Sequence, residues 1–353
     1  MTARLVLEKA LETIDNIKHP APREKASIAE LFGLEGVPKN VITMRMADTS
    51  SPYIPLPDEH YVFSKEMVRE VLAFLRKPDS DAMYVFGHTG TGKTSGINQI
   101  LSKLNWPAQQ LTCHEDLQFA ELVGQFVMRS ERPGEAPQMK WIYGPLAKAM
   151  RDGHALVLNE VDLVEPGELS GLNDVLDGRP LVISENGGEI IYPHPDFRVF
   201  VTGNSFGSGD ERGVYQGVKV QNLAAMDRYR MLEVKYLAPE IEEKIIQNVA
   251  PDLPEVIVKG MVQSANEIRH VFMGQADQGS SGLDINTQLG VTMSTRVIRR
   301  WANLTMDFSK ADNALQYALD IALLRRTQPE ERVAISQICK SVFGEQWSVE
   351  ATQ

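Results

Sequence analysis

The chain has 353 residues, 43% of them hydrophobic and 24% charged, the make-up of a globular protein long enough to build two domains. Its formal charge of −11, from 47 acidic and 36 basic residues, argues against a surface that coats nucleic acid and leaves room only for a local basic loop. No apolar run reaches the roughly eighteen residues of a membrane span, the opening segment does not read as a signal peptide, and Cys113 and Cys339 are too few for a disulfide framework, so a cytoplasmic setting is expected.

Residues 1–18 predict a short amphipathic helix carrying Leu5, Leu7, Leu11, Ile14 and Ile17, followed by a Pro-rich connection from His19 to Pro22. Residues 33–57 contain Pro38, Pro52, Pro55 and Pro57 and read as irregular or extended. A helix pattern runs from Ser64 to about Arg76. Strands at 82–86, 108–112, 155–158 and 198–202 then alternate with helices, the signature of a mostly parallel sheet covered on both faces. Two stretches in this part look like hairpins: 126–143 around Arg132-Pro133-Gly134, and 181–192 around Asn186-Gly187-Gly188. Each reads equally well as an ordinary surface hairpin. After Pro239 strand signals fade, and 239–249, 254–273, 293–308, 313–327 and 329–343 predict helices. The expected organisation is an N-terminal helix with an irregular segment (1–57), an α/β nucleotide-binding core with two hairpin inserts (58–238), and a helical lid domain (239–353).

Chemistry enters with Gly87-His88-Thr89-Gly90-Thr91-Gly92-Lys93-Thr94, which fits G-x-x-x-x-G-K-[ST]. The apolar run 82–86 precedes it, and Ile97, Ile100, Leu101 and Leu104 follow on one helix face. Strand, glycine loop and helix is the context such a motif needs. Glycines let the backbone wrap close to phosphates, and the loop N–H groups with the helix N-terminus supply positive potential. Lys93 then reaches the β/γ-phosphates of ATP, and the Thr94 hydroxyl binds Mg²⁺.

A second strand, Ala155-Leu156-Val157-Leu158, ends at Asn159-Glu160. An apolar strand delivering Glu160 to the sheet edge suits a general base that polarises water; the plain alternative is a solvated loop acid. Asn159 stands where P-loop proteins usually place a metal-binding aspartate; it keeps a hydrogen-bonding oxygen for Thr94 or a metal-bound water but lacks the charge. Asp162, two residues beyond Glu160, is not expected to point the same way. A third strand ends at Gly203-Asn204, whose carboxamide is placed to orient water or touch the γ-phosphate, although Asn in such a turn is more often structural. Arg228 and Arg230 near the end of the α/β part, and Arg296 at the start of a later helix, are candidates to stabilise a transferring phosphoryl group; solvated salt bridges are the ordinary role of such arginines. Cys113-His114-Glu115-Asp116 is too contiguous to converge on one ion.

Together these residues resemble the MoxR group of AAA+ ATPases, most closely the CobS type that serves as the ATPase subunit of cobaltochelatase. The resemblance spans about residues 30–310 and rests on Phe32-Gly33, Val37-Pro38, the glycine loop, Leu104-Asn105-Trp106-Pro107, Leu122-Val123-Gly124, Pro193-His194-Pro195-Asp196-Phe197-Arg198, Gly207-Ser208-Gly209-Asp210, Gln221-Asn222, Met226-Asp227-Arg228-Tyr229 and Met293-Ser294-Thr295-Arg296. It implies an AAA+ P-loop αβα core with a parallel sheet, followed by a smaller all-helical lid. It further implies Asn204 as the sensor-1 residue, Arg228 as an arginine finger offered to a neighbouring subunit, and Arg296 as the sensor-2 arginine. The two hairpins would be the inserts lining the central face of a homo-oligomeric ring, usually hexameric, that works with a protein partner, often one carrying a von Willebrand A domain. Asn159 departs from the aspartate of the group and puts the hydrolysis rate in question. Four readings follow: an ATP-driven ring that remodels a protein partner, a chelatase ATPase subunit, an ATP-gated scaffold with slow turnover, and a nucleic-acid motor, which the charge of −11 disfavours.

Overall fold

A computed structural model describes residues 19–130, 136–207, 209, 215, 217–274, 289–344 and 347. The expected helix over 1–18, the turn Arg132-Pro133-Gly134, and Ser208 and Asp210 lie outside the described residues. The chain forms two compact units: Met1–Asp58, Phe63–Gly87 and Lys93–Val234 make the first, and Glu59–Val62, His88–Gly92 and Lys235–Gln353 the second.

The first unit begins with an antiparallel pair, β1 (Arg23–Ser27) and β2 (Ile42–Met46), with Arg23 opposite Met46 and Ser27 opposite Ile42. β2 falls inside the stretch read as irregular or extended. Pro38 and Pro52 flank it without entering it, so every residue of the strand keeps its N–H. Next come β3 (Ala82–Phe86), β4 (Ala108–Thr112), the hairpin β5 (Gly124–Arg129) and β6 (Gln138–Tyr143), β7 (Ala155–Asn159), the hairpin β8 (Leu181–Ile183) and β9 (Glu189–Ile191), β10 (Arg198–Gly203) and β11 (Tyr229–Glu233). β11 is the one core strand that the residue pattern did not announce. Its neighbour along the whole length is β3, from Tyr229 opposite Ala82 to Glu233 opposite Phe86.

Five strands make one parallel sheet in the order β11-β3-β10-β7-β4. β7 and β10 are buried at every residue, which is why they read as unbroken apolar runs rather than as alternating ones. Helix Lys65–Arg76 buries Val68, Val71, Phe74 and Leu75 and is capped by the Ser64 hydroxyl. Helix Lys93–Lys103 buries Ile97, Ile100 and Leu101, the face expected from the spacing. β3 and β10 are neighbours although β4 and β7 separate them in sequence. Chain direction across the sheet reverses there, and the carboxyl ends of such strands are where α/β proteins build their sites.

The second unit is helical: Pro239–Val249, Glu255–Phe272, Thr295–Asp307, Ala314–Ala322 and Pro329–Phe343. Each matches an expected segment, except that the one over 313–327 breaks at Leu323 into a short 3₁₀ turn, Leu324–Arg326. Pro239 and Pro329 occupy first turns, where no N–H is needed. The core gathers Ile268, Ile298, Trp301, Leu319, Ile335 and Ile338, all fully buried. Among the described residues no helix is long and apolar enough to cross a membrane.

Candidate functional site: a phosphate loop at three strand ends

β3 ends at Phe86, and the chain turns through Gly87 (φ 149°) toward Gly92 (φ 92°) before helix Lys93–Lys103 begins. At Gly92 the backbone is left-handed, a conformation glycine adopts without a Cβ penalty. The half-buried Lys93 ammonium donates to the Gly87 carbonyl (2.7 Å) and to Asn204 Oδ1 (3.1 Å). Partial withdrawal from water brings Lys93 down to about 8, opposed by the negative charges of Asp162 and Glu160. The loop is thereby a cationic cradle with its lysine already aimed by the third strand.

Thr94 Oγ1 donates to Asn159 Oδ1 at 2.7 Å, and Thr202 Oγ1 donates to the same oxygen at 3.4 Å. Asn159 is buried at the end of β7, and its main-chain oxygen accepts from Cys113 N at 2.8 Å. Burial pushes the Cys113 thiol up to about 12, which keeps it protonated near neutral pH. Thr94 and Asn159 offer oxygen donors only, the type a hard cation such as Mg²⁺ takes, and few protein donors suffice where phosphates and waters complete the shell. Among the described residues no group of three His, Cys, Asp or Glu is placed to hold a metal ion.

Glu160 is exposed immediately beyond this buried pair, with left-handed backbone angles (φ 58°, ψ 43°). Its N–H donates to Thr202 Oγ1 at 3.2 Å. Thr202 thus ties the general-base candidate to the Asn159 carboxamide, a link the sequence did not announce. Asp162 is fully buried and faces away from solvent, unlike Glu160.

Lys93, Thr94, Asn159 and Asn204 therefore form one hydrogen-bonded cluster, with Glu160 joined to it through Thr202. Arg228 sits elsewhere: its Nε and a terminal nitrogen donate to both oxygens of Asp177 (2.8 and 3.2 Å), and the other to the Ala224 carbonyl (2.8 Å). Arg230 is held on β11 by Asp81, Asp79 and the Pro78 carbonyl.

The middle of the loop, His88–Gly92, belongs to the second unit. Thr91 Oγ1 donates to the His88 carbonyl (2.9 Å), and the Tyr236 hydroxyl donates to the Thr89 carbonyl (3.0 Å). The His88 ring lies parallel to that of Tyr236 with centroids 6.4 Å apart. A Cβ on Gly90 would stand 2.1 Å from Ser294 Cβ, so that position is closed to any side chain. Ser294 also caps helix Thr295–Asp307, whose second residue is the exposed Arg296. Tyr236 lies outside every quoted motif, and Ser294, although it precedes Arg296 in one of them, is not expected from the sequence to be a loop partner.

A five-stranded parallel sheet with this phosphate loop and a helical C-terminal region defines an AAA+ ATPase. Residues 82–215 match the model of the AAA domain (dynein-related subfamily), and residues 242–342 that of the CbbQ/NirQ/NorQ C-terminal domain. The chain belongs to the CobS and CbbQ type of AAA+ ATPase, the MoxR-like group. It is 26% identical over 328 residues to the aerobic cobaltochelatase subunit CobS of Sinorhizobium sp, covering 92% of each chain. It is 27% identical over 199 residues to protein CbbQ of Hydrogenophilus thermoluteolus, covering 56% of this chain and 69% of that one. The Holliday junction branch migration motor RuvB of Thermotoga maritima superposes with a TM-score of 0.43 at 12% identity, over 76% of this chain and 73% of that one.

Proposed function

We propose that the protein binds ATP with Mg²⁺ and hydrolyses it, and that turnover drives a homo-oligomeric ring, hexameric, which remodels or activates a protein partner in the cytoplasm. The observation that carries the reading is the convergence of three strand ends on one lysine–threonine pair: Lys93 meets Asn204, and Thr94 meets Asn159. In this reading Lys93 and the loop N–H groups of 87–94 bind the phosphates, Asn204 orients the attacking water, and Glu160 accepts its proton. Thr94 and Asn159 would hold Mg²⁺, which would supply positive charge to the phosphate oxygens. Arg228 acts on the ATP of the next subunit and Arg296 on its own. The test is Lys93→Ala against Glu160→Gln: the first should lose ATP binding, the second should bind ATP and fail to turn it over. Parent-like hydrolysis by Glu160→Gln would remove the base from the scheme.

Two other readings each have an observation in their favour. Similarity to a cobaltochelatase subunit along 92% of both chains supports a metal-chelatase ATPase subunit; in that reading the partner would carry a von Willebrand A domain. Affinity purification of the tagged full chain, followed by identification of the bound protein, separates a chelatase partner from another client. The neutral Thr94–Asn159 contact supports an ATP-gated scaffold with slow turnover. An aspartate at 159 would add a negative charge beside the metal, so Asn159→Asp should turn over faster and at lower Mg²⁺. Superimposable curves of rate against Mg²⁺ for the two proteins would remove the scaffold's support.

A further inference from the structure

One buried group at this site has no part in the roles above. Asp162 lies in the 3₁₀ turn Val161–Leu163 that follows Glu160, and it is 0% exposed. Its Oδ2 accepts from the main-chain N–H of Asn204 at 2.6 Å and from that of Ser205 at 3.3 Å. Its own main-chain oxygen accepts from Lys219 N at 2.8 Å, which pins the turn from the other side. The second carboxylate oxygen, Oδ1, has no hydrogen-bond partner, and neither does the buried Tyr84 hydroxyl. That hydroxyl lies against Gly203, where a Cβ would stand 2.2 Å from it. The residue before Asn204 is therefore confined by Tyr84, and Asn204 itself is hung from Asp162.

A buried carboxylate with one unsatisfied oxygen carries a desolvation penalty. Burial pushes Asp162 up, while the N–H groups of Asn204 and Ser205 and the Lys93 charge pull it down. The penalty is tolerated where the donors it collects matter. Here both donors sit on the loop whose Asn204 side chain meets Lys93 at 3.1 Å. The sheet ladder stops at Gly203, and the Asp162 carboxylate takes up the next two main-chain N–H groups beyond it.

We propose that Asp162 is the positioning residue of this site: its carboxylate holds the main chain at Asn204 so that the Asn204 carboxamide stays against Lys93 and faces the γ-phosphate. The inference rests on the ATPase reading and deepens it. Glu160 and Asp162 then divide two tasks that lie two residues apart, the exposed one meeting the reacting water and the buried one aligning its partner.

The test uses the full-length chain and reads kcat, KM and the affinity for a fluorescent ATP analogue. Asp162→Ala should lose about tenfold to a hundredfold in kcat, the scale on which a small misplacement of a catalytic group acts, while KM and affinity stay within about threefold. Asp162→Asn keeps an acceptor for the Asn204 N–H and should recover most of kcat. Asp162→Ala combined with Asn204→Ala should be no slower than Asn204→Ala alone, because both substitutions remove one thing. Additive losses, or parent-like kcat in Asp162→Ala, overturn the proposal. If Asp162→Ala does not fold, Asn204→Gln decides: the anchor remains, but the carboxamide moves one methylene from its place. Turnover as low as Asn204→Ala supports the proposal, and parent-like turnover overturns it. If the parent itself shows no hydrolysis, the ATPase reading has failed, and hydrogen exchange at the Asn204 amide judges the anchor separately. Protection in the parent that Asp162→Asn retains supports it; a freely exchanging amide in the parent overturns it.

Discussion

At the scale of single residues, a lysine drawn half out of water and aimed at a phosphate site makes ATP binding depend on pH. Without ligand Lys93 titrates at about 8, so its ammonium is present below that value and lost above it. Phosphate oxygens favour the charged form; binding therefore takes up a proton above about pH 8, and affinity falls as pH rises, by up to about tenfold per pH unit. A fluorescent ATP analogue titrated from about pH 7 to 9.5 measures this, with Lys93→Met expected to be weak and flat across the range. A flat parent profile would place the Lys93 titration elsewhere. Lys93, Thr94 and the loop glycines were legible in the sequence because spacing alone encodes their chemistry: one turn of backbone has to bring them together. Glu160 and Asn204 were legible through the apolar strands before them. Asp162, Thr202 and Tyr236 were not, since each acts through a residue remote in sequence, Asn204, Glu160 and Thr89 respectively.

At the scale of elements, the second unit is pinned by one buried ion pair across two helices. Arg269, on Glu255–Phe272, donates both terminal nitrogens to Glu242, on Pro239–Val249, at 2.6 and 2.8 Å, and its Nε to the Met293 carbonyl at 2.7 Å. Thr295 adds a hydroxyl donor to Glu242, so the pair also fixes the start of the helix carrying Arg296. Residual exposure is 1% and 0% for the two side chains. Removing one partner strands a buried charge; Glu242→Ala should lower stability by about 3–5 kcal/mol, whereas the joint replacement Glu242→Leu with Arg269→Met should recover most of it. Urea midpoints of the three proteins are the measurement, and a Glu242→Ala midpoint equal to the parent would show the pair to be dispensable. The helices themselves were readable because their apolar residues recur on one face. The β1–β2 pair was not, because its two strands lie on either side of a proline-bearing segment and neither has a local signal naming its partner. β11 was hidden for a related reason: Arg230 at its second position drew a functional reading, while in the fold it ties the strand to Asp81 and Asp79.

At the scale of the whole molecule, the proposed ring assigns Arg228 to a neighbour's nucleotide. Within its own chain that guanidinium is already engaged by Asp177 in a bidentate pair. Arg228→Ala should keep ATP affinity and lose roughly 10³–10⁵ in rate, as arginine fingers do elsewhere. Mixing decides whether it works across subunits: Arg228→Ala chains combined with Lys93→Ala chains should regain hydrolysis at the shared interfaces. Mixed rings with no recovery would make Arg228 an intrachain structural arginine, with Asp177 as its whole purpose. Light scattering at saturating ATP and Mg²⁺ should report the ring itself, and a persistent monomer would end the motor reading.

In the proposed scheme, where Glu160 is the general base, durability and turnover pull in opposite directions at that residue. An L-residue held in left-handed backbone gives up about 1–2 kcal/mol that a glycine would not. The dead enzyme Glu160→Gly should therefore outlast the working one on heating, and Glu160→Gln, equally dead but still twisted, should melt with the parent. Heat tolerance and lost activity would then come from one substitution, and a screen for thermostable variants of this protein would select against its own catalyst.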